Sequence, residues 1–257
     1  MATTDRLRSE YSEQAVDYHE FYDNPPLASR LETELFAAAI DHPTTKGAVI
    51  LDLGGGAGMK ARIALDAGAA AVDVVDFSAE MMRGGQESEA ALGRNAIRWF
   101  EADVSRPLAH LPLRPQYDIV MANWLFDHCS SPEMLAGLWS NIGAYLRPGG
   151  RFLTLRVGNP RAPSLLTGEL GYLYRDFEEI PGGLKYRFVF PSPPVDIEVY
   201  SMEAMYSGST EMYEKYGLAD VRNEPFENAK VVRENPELLK SFLKDPAFFL
   251  AFATKKL

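Results

Sequence analysis

The chain has 257 residues, 46% of them hydrophobic, and 36 acidic residues against 26 lysines and arginines give a formal net charge of −10. That hydrophobic share suits one soluble α/β domain with insertions rather than two full domains. The acidic balance speaks against nucleic acid, whose phosphates need a basic face. The single cysteine, Cys129, allows no intrachain disulfide and suits a reducing compartment. With no leader-like start and no apolar run long enough to span a bilayer, the expectation is a cytoplasmic protein without a membrane partner. Arg147, Arg151 and Arg156 lie close in sequence and read as ordinary solvated charges.

Residues 1–46 are mixed polar and aromatic, without repeats or low-complexity tracts. Tyr11, Ala15, Tyr18 and Tyr22 share a helical spacing, as do Leu27, Leu31, Leu35, Phe36 and Ile40, and Pro25–Pro26 suits the start of the second helix. The expectation is a helical lid over 1–46 in front of a main domain over 47–257. From Ala48 the rhythm changes. Short apolar runs at Ala48–Leu53, Ala71–Val75, Ala96–Phe100, Tyr117–Ala122 and Arg151–Val157 read as strands buried on both faces. Helical segments at Ala57–Ala67, Ala79–Ala91 and Pro132–Leu146 alternate with them. Such alternation predicts a doubly wound, mostly parallel α/β sheet.

After Val157 the alternation stops. Residues 158–206 carry Pro160, Pro163, Pro181, Pro191, Pro193 and Pro194, with alternating segments at Lys185–Phe190 and Asp196–Tyr200. They read as an antiparallel hairpin inserted after the fifth strand. A helix near Ser209–Tyr216, a stop at Gly217 and strands near Ala219–Phe226 and Phe248–Thr254 complete a seven-stranded sheet.

The most informative stretch is VILDLGGGAG, Val49 to Gly58, where a buried strand runs into Gly54, Gly55, Gly56 and Gly58. Glycines there allow a tight turn and a close ligand approach, and the following helix offers free N–H groups. A dinucleotide loop spaces its glycines G-x-G-x-x-G to hold a pyrophosphate. Here Asp52 stands two residues before the first glycine; its carboxylate repels a pyrophosphate and suits an ammonium. Asp76, 24 residues later, ends the second strand and can accept both hydroxyls of a ribose. Asp103 follows the third strand and can accept from an exocyclic amine. Three successive strands thus end in an acid at the sheet edge where open α/β sheets bind ligands.

In order along the chain, DLGGGAG, VDFSAEMM, EADV, YDIVMANWLFDH and LRPGGRFLTL resemble the five motifs of the class I S-adenosylmethionine-dependent methyltransferases, over roughly Ala48 to Val157. The resemblance implies S-adenosylmethionine as cofactor. Gly54 and Gly56 would let its methionine part pass over the loop, with Asp52 facing the ammonium. Asp76 would hold the ribose, Phe77 and Met81 would flank the adenine, Asp103 would accept from its amine with Val104 alongside, and Asn123 would contact the methionine part. Tyr11 is a candidate for the cofactor's carboxylate.

Methyl transfer needs an acceptor held in line with the methyl–sulfur bond and water kept out; a base is needed where the acceptor atom carries a proton. His128, just past the fourth strand, is the candidate base, with a partly exposed loop residue as the plainer alternative. His19 sits among Tyr11, Tyr18, Phe21 and Tyr22, aromatics suited to a lid or to ordinary helix packing; His42 and His110 read as surface residues. Tyr172, Tyr174, Tyr186, Phe188 and Phe190 of the insertion could line an apolar substrate pocket or pack the hairpin onto the sheet. No cysteine–histidine cluster points to a metal. The expected partner is a small-molecule acceptor, and a homodimer is compatible with the sequence. Three rivals stay open: a nicotinamide-dependent oxidoreductase, the same cofactor used for cyclisation or decarboxylation, and a cofactor-binding subunit without catalysis.

Overall fold

The computed structural model describes Ser9, residues 25–191 and residues 194–257. The upstream helix expected around Tyr11–Tyr22 lies outside them. The second helix is present as α1 (Leu27–Ile40), introduced by Pro26 and burying Leu31, Leu35, Phe36 and Ile40 on one stripe.

Five strands follow: β1 (Val49–Leu53), β2 (Ala71–Asp76), β3 (Ile97–Glu101), β4 (Tyr117–Met121) and β5 (Leu146–Val157). They are linked by α2 (Met59–Asp66), α3 (Ala79–Ala91) and α4 (Pro132–Tyr145), apart from the irregular β3–β4 connection. The oxygens of Ser78 and Ser131 accept from the backbone N–H groups of Met81 and Met134 and so cap α3 and α4. The chain then leaves the main sheet for a second, antiparallel sheet of β6 (Leu173–Ile180), β7 (Gly183–Pro191) and β8 (Pro194–Met202). A short helix α5 (Pro163–Thr167) precedes that sheet. After it come α6 (Glu203–Tyr206), α7 (Glu211–Lys215), β9 (Leu218–Asn223), α8 (Lys230–Glu234), α9 (Lys240–Lys244) and β10 (Phe248–Lys255).

The main sheet has seven strands in the order β3-β2-β1-β4-β5-β10-β9. Its pairs from β3 to β5 are parallel, and β10 runs antiparallel to both neighbours. The order reverses between β1 and β4, which opens a crevice beyond their carboxyl ends. Both faces are covered. Ile50, Ile119, Met121, Leu153 and Leu155 pack on one side with α1 and the second sheet. Leu51, Val120, Phe152 and Trp139 pack on the other, where Trp139 is fully buried against Phe126 and Tyr213. This two-sided burial is why the strands read as continuous apolar runs.

The structure departs from the sequence reading in definite places. Strand β5 begins at Leu146 rather than Arg151, because Leu146 already pairs with Tyr117 across an irregularity at Pro148–Gly150 that reads locally as a turn. The insertion has three strands, not two. β6 carries a register shift between Arg175 and Glu178, with Asp176 at φ 57°, and that shift breaks the alternation by which a strand is recognised. Arg156 is not a solvated charge: it is buried, and its guanidinium donates to the carbonyls of Val157 and Met205.

One buried acid fixes the left half of the sheet. Asp73 on β2 has no exposed surface and accepts from Arg98 on β3, from Arg114 in the β3–β4 connection and from the hydroxyl of Tyr117 on β4. These partners hold its carboxyl below the usual range against the cost of burial. Asp73→Ala leaves three donors short of an acceptor. The expected loss is about 2–3 kcal/mol, below that for a fully buried pair because the guanidiniums are 45% and 34% exposed. Urea unfolding of the variant beside wild type checks it.

Candidate active site

The crevice at the switch point opens into a cavity of about 900 Å³, a volume that includes space open to solvent. Its floor is the loop Gly54–Ala57, and its walls come from the ends of β1, β2 and β4, from the start of α2 and from α1. Asp52, Gly54, Gly56, Asp76, Phe77, Met81, Asn123 and His128, all singled out in the sequence, are brought together on this lining. Asp103 and Val104 are not on it. Asp103 accepts from the backbone N–H and hydroxyl of Ser105, and Val104 is buried in the core while its carbonyl accepts from Asn141. Tyr11 and His19 lie outside the described residues. His42 and His110 are exposed, and His42 caps the 3₁₀ turn that follows it.

The glycine loop is shaped by the two acids beside it. Asp76 is buried at the end of β2. Its Oδ2 accepts from the N–H of Gly56 at 2.8 Å and its Oδ1 from the N–H of Ser78 at 2.9 Å. The carboxylate therefore ties the loop to the next strand. Gly56 meets it at φ 50°, in the left-handed region that favours glycine. Burial raises the Asp76 pKa, and the backbone donors oppose the rise. Asp52 is 2% exposed, and among the described residues its Oδ2 has no hydrogen-bond partner. A Cβ on Gly55 would lie 2.7 Å from that oxygen, so glycine is what admits the carboxylate there. Burial first, and then the nearby Asp76 charge, push the Asp52 pKa up to about 8, while Lys60 pulls it down.

The far wall is formed by β4 and α1. Asn123 donates no side-chain N–H to any described residue, while its Oδ1 accepts from the N–H of Leu155. Trp124 adopts φ 57°, and its indole N–H donates to Glu32 on α1 at 2.9 Å. The 3₁₀ turn Phe126–His128 then sets His128 on the wall, where burial pushes its pKa down to about 4 and leaves the imidazole neutral at ordinary pH.

Sequence reasoning missed Glu32 and Lys60. Lys60 had a signal: it falls in the buried stripe Lys60, Ala61, Ala64 of α2, where a lysine is out of place. Glu32, next to the buried Leu31, had none. The five aromatics of the insertion do not line the cavity described. They pack against one another, as in Tyr174–Tyr186 with centroids 4.6 Å apart and Tyr172–Phe188 at 5.1 Å, so packing the second sheet is what they do here.

Residues 50–150, from the first strand to the glycines of β5, match the family described as a methyltransferase domain. Over that span the chain is similar to methyltransferase domains. Solved structures extend the likeness in fold. An S-adenosylmethionine-dependent methyltransferase from Mesorhizobium loti is 21% identical, with a TM-score of 0.56, over 85% of this chain and 96% of its own. The 1,6-didemethyltoxoflavin N1-methyltransferase of Burkholderia thailandensis, solved with 1,6-didemethyltoxoflavin and S-adenosylhomocysteine, is 18% identical, with a TM-score of 0.56, over 98% and 88%. Among curated proteins, protein arginine N-methyltransferase 6 of Xenopus tropicalis is 24% identical over 160 residues, which is 60% of this chain and only 46% of that protein. Among the described residues, no helix is long and apolar enough to cross a membrane, and no acid, histidine and cysteine cluster could hold a metal ion.

The Asp52 geometry has a consequence for the ligand-free protein. Its pKa is about 8 when folded and near 3.8 when unfolded, so between those values the folded state binds more protons. Stability from this group is therefore present at low pH and is lost as pH rises from about 4 to about 8. Asp52→Asn removes the titration. Its stability relative to wild type should grow between pH 5 and pH 8, as read from urea midpoints at the two pH values; a constant difference would contradict the assignment.

Proposed function

We propose that the protein transfers the methyl group of S-adenosylmethionine to a small-molecule acceptor bound between β4, α1 and His128. The observation that carries this reading is Asp52: a buried acid with an unpartnered oxygen beside a glycine loop, whose raised pKa a cation would draw back down. The ammonium of an adenosyl amino acid supplies one, whereas a dinucleotide pyrophosphate would face that acid with like charge. The residues present fit such a cofactor. Asp52 takes the ammonium while Gly54 and Gly56 let the methionine part pass. The oxygens of Asp76 keep lone pairs for the ribose hydroxyls beyond those given to Gly56 and Ser78. Phe77 and Met81 flank the adenine, and Asn123 offers its free N–H₂ to the methionine part. Asp103 and Val104 stay in the proposal as residues beside the adenine amine, Tyr11 as a contact to the cofactor's carboxylate and residues 1–46 as the lid.

When bound, the cofactor supplies an activated methyl group: the sulfur–methyl bond breaks as the acceptor–methyl bond forms, leaving S-adenosylhomocysteine. The protein's work is positioning, exclusion of water and removal of a proton. His128, neutral at working pH, can take the acceptor's proton where the nucleophile is a hydroxyl or a protonated nitrogen. The toxoflavin methyltransferase likeness, which spans nearly the whole chain, supports a small acceptor over a macromolecule, as does the net charge of −10. The lone cysteine supports a cytoplasmic setting.

Formation of S-adenosylhomocysteine from S-adenosylmethionine with candidate acceptors tests the reading, and conversion of an acceptor without consumption of the methyl donor would overturn it. Asp76→Ala should weaken S-adenosylhomocysteine binding by about 1–3 kcal/mol, measured by calorimetry. His128→Ala should lower turnover about 10²–10⁴-fold with cofactor affinity kept. Because His128 protonates only near pH 4, the acid limb of wild-type turnover due to this residue should appear below about pH 5 rather than near 6.5.

A further inference from the structure

We propose that Lys60 is the anion anchor of the cavity and holds the carboxylate at the amino-acid end of the cofactor. The inference rests on the methyl-donor reading above and deepens it.

Lys60 is the second residue of α2, directly after the glycine loop, and is only 8% exposed. It lines the cavity. Its stem passes the Phe36 side chain, with Nζ 5.4 Å from the ring centroid, and among the described residues Nζ has no hydrogen-bond partner. A buried ammonium without an acceptor is an expensive group to keep. The acids near it do not discharge it. Glu32 attracts it across the gap between α1 and α2, but Glu32 Oε2 is taken by the Trp124 indole, and the Tyr172 hydroxyl also donates to that carboxylate. Asp52 attracts it from the end of β1, again without a hydrogen bond.

The cavity therefore presents two unpartnered buried groups of opposite sign, Asp52 Oδ2 and Lys60 Nζ, on either side of the glycine loop. An α-amino acid carries an ammonium and a carboxylate on one carbon, so a single such headgroup satisfies both at once. A plain nucleoside satisfies neither, and a dinucleotide satisfies the lysine at best. The cost of burying Lys60 shows in its pKa, which burial draws down to about 8. A carboxylate ligand reverses that pull by stabilising the charged form.

The test compares two ligands on the full chain by calorimetry or competition. S-adenosylhomocysteine carries the amino-acid end; 5′-methylthioadenosine shares the adenosine and thioether and lacks it. Lys60→Met should bind S-adenosylhomocysteine about 10–100-fold more weakly, the loss of one charge-assisted contact, with 5′-methylthioadenosine affinity within about twofold of wild type. Lys60→Arg should recover part of the loss. Equal loss for both ligands, or none for S-adenosylhomocysteine, overturns the assignment. Unchanged S-adenosylhomocysteine affinity with a raised KM for the acceptor overturns it too, by placing the lysine on the acceptor's side. On wild type, needing no variant, S-adenosylhomocysteine should outbind its decarboxylated analogue at least about tenfold, and equal binding rejects the anchor. Failure of wild type to bind S-adenosylhomocysteine at all would instead reject the methyl-donor reading.

Discussion

The cavity depends on the link between Asp76 and the backbone of the glycine loop. A loop with so little side-chain material has few means of holding one shape, since glycine loses more conformational freedom on folding than any other residue. Here both oxygens of one buried carboxylate accept backbone N–H groups, one from Gly56 and one from Ser78. The bond to Gly56 spans 20 residues and joins the first βα turn to the end of the next strand. It also sets the electrostatics of the site. Burial first, and then the neighbouring Asp76, raise the pKa of Asp52, so a cationic group beside Asp52 would relieve that cost.

That cost is borne by the scaffold. The acids, the buried lysine and the neutral histidine of the cavity all carry pKa values displaced by burial, and each displacement opposes folding at some pH. Compensation lies away from the site. On one side of the sheet, Trp139, Phe126, Phe152 and Tyr213 form a closed aromatic cluster under β4 and β5. At the other end of β4, three donors converge on Asp73. Asp73 and Asp52 make an instructive pair. Both are buried acids on the neighbouring strands β1 and β2, but the partnered one is held below the usual carboxylate range and the unpartnered one above it. The difference is the supply of donors, and the acid left without them is the one on the cavity.

How much could be read from the sequence follows from where the forces are local. The inner strands β1, β2 and β4 were legible because burial on both faces writes itself as apolar runs, whereas the edge strands β3 and β9 are partly exposed. The ligand edge was legible because Asp52, Asp76 and the glycines lie at strand ends, where position alone implies exposure to a crevice. β6 was missed because its bulge at Arg175–Glu178 shifts which residues face inward. The short helices α8 and α9 were missed because each offers barely one turn of periodicity; their burial of Val231, Val232 and Phe242 is decided by tertiary contact. Glu32 was invisible for a related reason. Its importance comes from Trp124, 92 residues away, and from Tyr172 in the second sheet, and no local pattern records such a meeting.

Those same long-range contacts separate the tasks of the two halves of the cavity. The loop side is built from contiguous segments of the parallel sheet. The α1 side is assembled from distant parts: Glu32 from α1, and Trp124 and His128 from beyond β4, with Tyr172 of the insertion reaching it only through its hydrogen bond to Glu32. The aromatic ladder of that sheet packs on itself, so its influence on the cavity passes through Tyr172 and Glu32 rather than through a wall of rings. In the function proposed above, a change of acceptor would come from shifting α1 or the second sheet by small amounts, while Asp76, Gly56 and Asp52 would keep the methyl donor in place. The division follows from topology: the switch point between β1 and β4 fixes the loop side of the cavity, and only elements outside that crossing are free to vary around it.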